Sequence, residues 1–363
     1  MNIDGSTQRR RRSPIALSVL AAAALLAACG SSSVSGSGSG SGGSKSSSSS
    51  SSSAPASSGP AKVSVVNSSF KGATLRVGDQ AGTGAQALLS AAGLLHKLPF
   101  KVSFADFTSG PPMLQAMGSG SLDVGGVGDA PPVFAAAGGS QISVVGARAN
   151  NPRSAGLLVP KGSTITSIKQ LKGKKIAVAQ GSSADYHLLT VLNRAGLSVH
   201  DVTLEYLQPA QAVAALSSGS VDAWDVWSPF VEQAVAQDHA RILVDGTGYG
   251  SNFAYEVAAK SSIKDPTKAK EIREYLKTLN QAYRWTDTHP AAWAATWAQA
   301  TGLPQSVMLT AAKDDTTTPV PVNAKTTFTP EQSLVDAFSK AALIPKSYTF
   351  ETYTSDAFND TVG

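Results

Sequence analysis

The chain has 363 residues, 30 basic and 25 acidic, and a net charge of +5. Four of the basic residues and one acidic residue fall within residues 1–28, which leaves 26 against 24, a net +2, from residue 29 onward. No long Lys/Arg run remains there, so the compositional case for nucleic-acid binding is lost. Cys29 is the one cysteine, which excludes disulfides and cysteine-ligated metal from the folded part and leaves it to be held by its apolar core.

In chain order, four arginines at 9–12 precede the apolar run "IALSVLAAAALLAA" (15–28), too short to span a bilayer and laid out as a secretory signal. "LAAC" (26–29) resembles a bacterial lipobox, with Cys29 as the lipidated first residue of the mature chain. Residues 30–59 are almost entirely Ser and Gly, a composition that buries no core and acts as a tether. Thirty such residues reach roughly 30 Å in root-mean-square terms.

The remainder alternates short β-branched runs with helical stretches. The strands are "TLRVGD" (74–79), "KVSFADF" (101–107), "LDVGGVG" (122–128), "ISVVGA" (142–147), "AGLLVP" (155–160), "KKIAVAQ" (174–180), "VTLEYL" (202–207), "VDAWDVW" (221–227) and "ARILVD" (240–245). Helices are expected at 84–97, 111–119, 131–138, 183–195, 209–218 and 229–238. After "NFAYEVAAK" they follow one another, at 265–286, 290–300, 304–312 and 330–342. Such alternation argues for an α/β fold with largely parallel strands, and about 300 residues suit two lobes better than one core.

Chemistry is sparse. His96, His187, His200, His239 and His289 are scattered without metal-ligand spacing, and no GxSxG, HExxH or Walker motif occurs. "GDQAGTGA" (78–85) lacks the dinucleotide spacing and reads as a tight turn. No cofactor is called for. What recurs is a helix start directly after a strand, at Thr83-Gly84, Ser109-Gly110, Asp129-Ala130, Ser182-Ser183 and Ser228. Ligands of open α/β sheets collect at the carboxyl ends of strands, where free N–H groups and the helix dipole favour an anion. Pro111, Pro112, Pro131 and Pro132 donate nothing, so the strongest anion contacts are expected at Ser182 and Ser183. In "VDAWDVWSPF", alternation sends Trp224 and Val226 one way and Asp225 and Trp227 the other, one face to the core and one to a cleft or solvent.

"FTSGPPMLQAMGSGSLDVGGVGDAPPVFAAAGG", "SAGLLVPKGSTITSIKQLKGKKIAVAQGSS", "GSVDAWDVWSPF" and "LIPKSYTF" resemble the aliphatic sulfonate-binding lipoproteins of ABC importers, relatives of the taurine and nitrate binders, from about Leu75 to Phe350. The resemblance implies a type II periplasmic-binding-protein fold, two α/β lobes joined by two crossing strands near Leu157 to Lys161 and Gly250 to Tyr255. Lobe 1 would comprise 74–159 and 253–350, lobe 2 160–252, after a signal peptide (1–28) and a lipidated tether (29–65). It implies ligand contacts at Gln80, Gly82, Thr83, Ser109, Gly110, Asp129 and Ala130 from lobe 1. From lobe 2 it implies Ser182, Ser183, Asp185, Trp224, Asp225 and Trp227. The implied partners are a small anionic ligand, a sulfonate, and an ABC permease in the membrane; the protein would be a lipid-anchored extracytoplasmic monomer. Pro112, Asp185, Asp225 and Ser228 depart from the family pattern, and the two carboxylates would repel an anion unless they face away or meet a cationic or hydroxylated part of it. An enzyme on the same fold is the rival reading, and it lacks an identifiable acid–base set in this sequence.

Overall fold

The computed structural model describes residues 70, 72–80, 84–314 and 316–363. The signal-like segment, Cys29, the tether, Gly82 and Thr83 lie outside the described residues.

Strands β1 (Thr74–Gln80), β2 (Lys101–Phe107), β3 (Val124–Gly128) and β4 (Ile142–Asn150) alternate with helices α1 (Ala85–Ala91), α2 (Gly110–Gly118) and α3 (Ala130–Ala137). A second run follows: β5 (Ala155–Val159), β6 (Lys175–Val178), α4 (Ser183–Arg194), β7 (Thr203–Tyr206), α5 (Pro209–Ser217), β8 (Ala223–Trp227), α6 (Phe230–Gln237) and β9 (Arg241–Asp245). The chain then returns through β10 (Phe253–Ala259) to α7 (Lys260–Lys264), α8 (Pro266–Thr288), α9 (Pro290–Thr301), α10 (Gln305–Asp314), β11 (Thr317–Val320) and α11 (Thr329–Lys340).

Two sheets result, in the orders β11-β4-β10-β3-β1-β2 and β7-β6-β8-β5-β9. In each, a strand arriving from the other sheet runs antiparallel to both neighbours: β10 between β3 and β4, and β5 between β8 and β9; the edge strand β11 is antiparallel to β4 as well. The expected first crossing near Leu157 to Lys161 is therefore corrected, since β5 belongs wholly to the second sheet and the passage is made at 151–154, where Pro152 starts a short turn. The return passage is 246–252, ahead of β10. The first lobe also continues past Phe350, because Phe358 is buried in its core.

Each sheet is covered on both faces, as parallel strands require. The first carries α1, α8, α9 and α10 residues on one side and α2, α3 and α11 residues on the other. The second packs against α4 on one side and α5 and α6 on the other. The expected strands and helices form, except that the helix expected at 84–97 stops at Ala91 and resumes only as a 3-10 turn at Leu95–Lys97, while β11, α7 and a five-residue i→i+5 turn at Ala324–Phe328 were not anticipated. Among the described residues no helix is long and apolar enough to cross a membrane.

Candidate functional site

The carboxyl ends of β1, β3, β4, β6 and β8 face a cleft of about 220 Å³ between the sheets. Of the residues expected there, Gln80, Gly110, Asp129, Ser182, Ser183 and Trp227 line it. Five others do not. Trp224 is 1% exposed and packs in the core beneath α5 and α6, against Phe230. Asp225 lies one pleat below the strand end, fully buried, with both oxygens on His187 Nδ1 at 2.8 and 3.0 Å. Only Trp227, the last residue of β8, reaches the opening. Asp185 turns back to accept the Gly181 N–H at 2.9 Å, Ala130 is sealed with its N–H on Asp129, and Ser109 is fully buried.

The helix starts divide sharply. Asp79 Oδ1 accepts from the N–H groups of Gln80 and Ala85, and Oδ2 from that of Gln86, at 2.8–3.0 Å, so the chain's own carboxylate occupies the start of α1. Gly84 is obligatory for this, since a Cβ there would lie 1.6 Å from Asp79 Oδ1. Helix α2 begins with prolines and its Ser109 hydroxyl makes no hydrogen bond among the described residues. At α3, Asp129 Oδ1 accepts from Ala130 N–H at 2.8 Å and Oδ2 from Ser251 Oγ at 2.6 Å. Burial pushes the Asp129 carboxyl up, opposed by hydrogen bonds from Ser251, Ser183 and Ala130. The Ser183 bond joins the lobes, and Gly128 makes room for it: a Cβ there would stand 1.9 Å from Ser183 Oγ. Helix α4 differs from these three. Ser182 caps it by accepting from Asp185 N–H, and the N–H groups of Ser183 and Ala184 have no acceptor within the helix. An anion placed there would meet free donors and the positive end of the dipole.

Arg148, Asn150 and His187 are among the cleft residues that the sequence reading did not place there. Arg148, at the carboxyl end of β4, reaches the cleft while Nη1 donates to Glu256 Oε1 at 2.8 Å, and its guanidinium covers the Tyr283 ring at 5.3 Å from the centroid. Asn150 stands two residues on, its Oδ1 buried with no hydrogen-bond partner among the described residues. The polar tail "RAN" on an apolar strand was the available signal for both. His187 had none, because its partner is 38 residues away.

The His187 Nε2 lies 3.2 Å from the Asp245 carbonyl, which accepts only, so Nε2 carries a proton. A second proton then sits between Nδ1 and Asp225. Burial opposes charge on His187, but the Asp225 carboxylate outweighs it and its pKa rises; burial likewise pushes Asp225 up against the pull of His187. Both directions describe one event, a pair that retains its shared proton. The Asp185 carboxyl is raised to about 6 by burial, eased by the Gly181 N–H and reinforced by Asp225.

A model of the NMT1-like family matches residues 71–302. The chain belongs to the NMT1-like family. It is 35% identical over 275 residues to the putative aliphatic sulfonates-binding protein of Escherichia coli K12, covering 75% of this chain and 85% of that one. Among solved structures, the alkanesulfonate-binding protein SsuA of Xanthomonas axonopodis pv. citri bound to MOPS is similar at 33% identity and a TM-score of 0.73, covering 78% of this chain and 98% of that one. The fold is therefore the two-lobed type II periplasmic-binding-protein fold. The desulfurization enzyme DszB shares it at 16% identity and a TM-score of 0.58, over 80% of this chain and 98% of that one, a likeness of fold alone.

Proposed function

We propose that the protein is an extracytoplasmic solute-binding protein that takes an aliphatic sulfonate between its lobes and delivers it to an ABC permease, held at the membrane as a monomer by lipid on Cys29. The observation that carries this is the pairing, across one cleft, of Arg148 with the donor-rich start of α4, in a chain whose relative at 35% identity is named for sulfonate binding. A sulfonate suits neutral N–H and hydroxyl donors in a confined site, being tetrahedral and ionised at any physiological pH. We read Gln80, Gly110, Ser183, Asn150, Arg148 and Trp227 as ligand contacts, Trp227 offering an apolar face to the alkyl chain.

Asp129 supports a second reading. It is a carboxylate in the cleft wall, and an ammonium group on the ligand would meet it favourably, as in a taurine-like aminosulfonate. Asp185 and Asp225 add nothing to it, because both are turned away from the cleft, onto the Gly181 N–H and His187. We take binding rather than catalysis as the activity, since the enzyme among the neighbours shares only the fold.

A thermal-shift panel of ethanesulfonate, butanesulfonate, taurine, nitrate and sulfate on the purified full chain tests this. Sulfonate buffers must be avoided, given the MOPS bound to the Xanthomonas relative. The expected result is a saturable rise in Tm with an alkanesulfonate, lost in Arg148→Met. A rise with nitrate or sulfate alone overturns the sulfonate reading.

A further inference from the structure

Beneath the cleft, Glu256 stands on β10 at the irregular step in its pairing with β4, and is 4% exposed. Its Oε1 accepts from Arg148 at 2.8 Å and from the Tyr283 hydroxyl at 3.4 Å, while Oε2 is buried with no hydrogen-bond partner among the described residues. Strand β3 gives way to it at Gly126, where a Cβ would come within 2.8 Å of Oε1. The charged and titratable groups that face Glu256 are Arg148 from β4, Tyr275 and Tyr283 from α8, and Asp79 from β1. The Tyr275 hydroxyl is likewise buried without a partner among the described residues. One cation, Arg148, is thus shared between this carboxylate and the cleft.

We infer that Glu256 is a positioning residue that sets the charge Arg148 presents to a bound anion: ionised, it neutralises the guanidinium, and protonated on Oε2 it leaves the positive charge to the cleft, so that anion binding takes up a proton from water. This rests on the reading of the cleft as an anion site. Burial raises the Glu256 carboxyl to about 7 against the Coulombic pull of Arg148, with Asp79 adding to the rise and hydrogen bonds from Tyr283 and Arg148 opposing it. The exchange therefore falls where small changes of pH move it. A sulfonate stays ionised throughout, so any pH dependence belongs to the protein.

The test is calorimetric titration of the full chain with ethanesulfonate from about pH 6 to about pH 8.5, in non-sulfonate buffers of different ionisation heat. Binding should be roughly tenfold tighter at the acid end, the size expected for removing one like charge from a partly screened site. Near pH 7 a fraction of a proton should be taken up per ligand bound. In Glu256→Gln, whose amide oxygen still accepts from Arg148, uptake should vanish and affinity at the alkaline end should match that of the wild type at the acid end. In Tyr283→Phe, loss of a bond that favours the ionised form should move the midpoint upward. A flat wild-type profile, a profile that survives Glu256→Gln and so belongs to Asp129 or His187, or an unmoved midpoint in Tyr283→Phe would each overturn the inference. A folded wild-type chain that binds no sulfonate at any pH would instead sink the ligand reading, and this inference with it.

Discussion

In the second lobe Asp225 is sealed beneath α4 with His187 against it, and in the first lobe Glu331, in the first turn of α11, is sealed beside the Tyr255 hydroxyl with no salt-bridge partner among the described residues. The helix starts divide along the same line. The first lobe fills or blocks its own, with Asp79 at α1, prolines at α2 and Asp129 at α3, whereas in the second the Ser183 and Ala184 N–H groups of α4 have no acceptor within their helix. The contrast teaches that a rim of helix N-termini is not a uniform anion site. Positive potential in the first lobe comes from the side chain of Arg148, and in the second from the backbone.

The largest effect is expected where a buried pair is broken. His187→Gln leaves Asp225 with no other ion pair among the described residues, and removing one member of such a pair costs about 3–5 kcal/mol. A loss of unfolding free energy of that order in chemical denaturation is the expected outcome, and most of it should return in the double variant His187→Leu, Asp225→Val, which removes both polar groups. The pH sign follows from the pair holding its proton more tightly when folded. Its contribution is present below the ordinary histidine value of 6.5 and is lost as pH rises through the raised value in the folded protein. A double variant no more stable than His187→Gln would place the cost elsewhere.

An intermediate effect tests the contrast between helix starts directly. Ser183 is the first residue of α4, a position where proline is compatible with a helix. Ser183→Pro therefore gives α4 the character of α2 and α3, removing an N–H and a hydroxyl. Affinity for ethanesulfonate should fall by about tenfold or more, since a hydrogen bond to a charged group contributes about 1.5–3 kcal/mol. The far-ultraviolet circular dichroism should be unchanged. Unaltered affinity would move the anion away from α4.

The division also explains what could be read from the sequence. Strand and helix rhythm, proline at helix starts and the motif order sufficed for the fold, because each is local or nearly so. The place of Ser182 and Ser183 at a helix start beside the cleft was legible for the same reason, but the expected anion contact at Ser182 is corrected: its N–H and hydroxyl both donate to the Ala179 carbonyl, at 3.1 and 2.6 Å, which leaves Ser183 as the donor of the two. The cleft's electrostatics were not legible. Asp225 looked like an exposed carboxylate because alternation gives the face of a strand but not its depth, and His187, 38 residues away, decides its state. Likewise the Arg148 and Glu256 contact spans 108 residues and exists only once β4 and β10 pair. The first crossing was misplaced because a strand's sequence does not record which sheet it joins.

The smallest effect at acid pH concerns Glu331. It lies in the first turn of α11, where the helix dipole favours a carboxylate, but complete burial dominates and pushes its carboxyl well up, with the nearby Asp129 charge adding to the rise and the Tyr255 hydroxyl opposing it. The neighbouring Tyr255 hydroxyl donates to the Thr326 carbonyl at 3.1 Å. The folded protein therefore holds the proton on this acid to higher pH than the unfolded chain does. Since the folded state binds the extra proton, stability falls as pH rises from the unfolded value of about 4.5 through the folded one. Glu331→Gln removes that proton linkage while keeping shape and neutrality. It should stabilise the protein above pH 4.5, by about 1.4 kcal/mol for each pH unit until the folded value is reached, and the gain should shrink to nothing as the pH is lowered towards 4.5, the ordinary value for this group. Urea denaturation of both proteins across that range measures it. A gain that persisted at acid pH would mean that packing, not the proton, separates the two, and the contrast between a paired acid in one lobe and an unpaired acid in the other would lose its thermodynamic content.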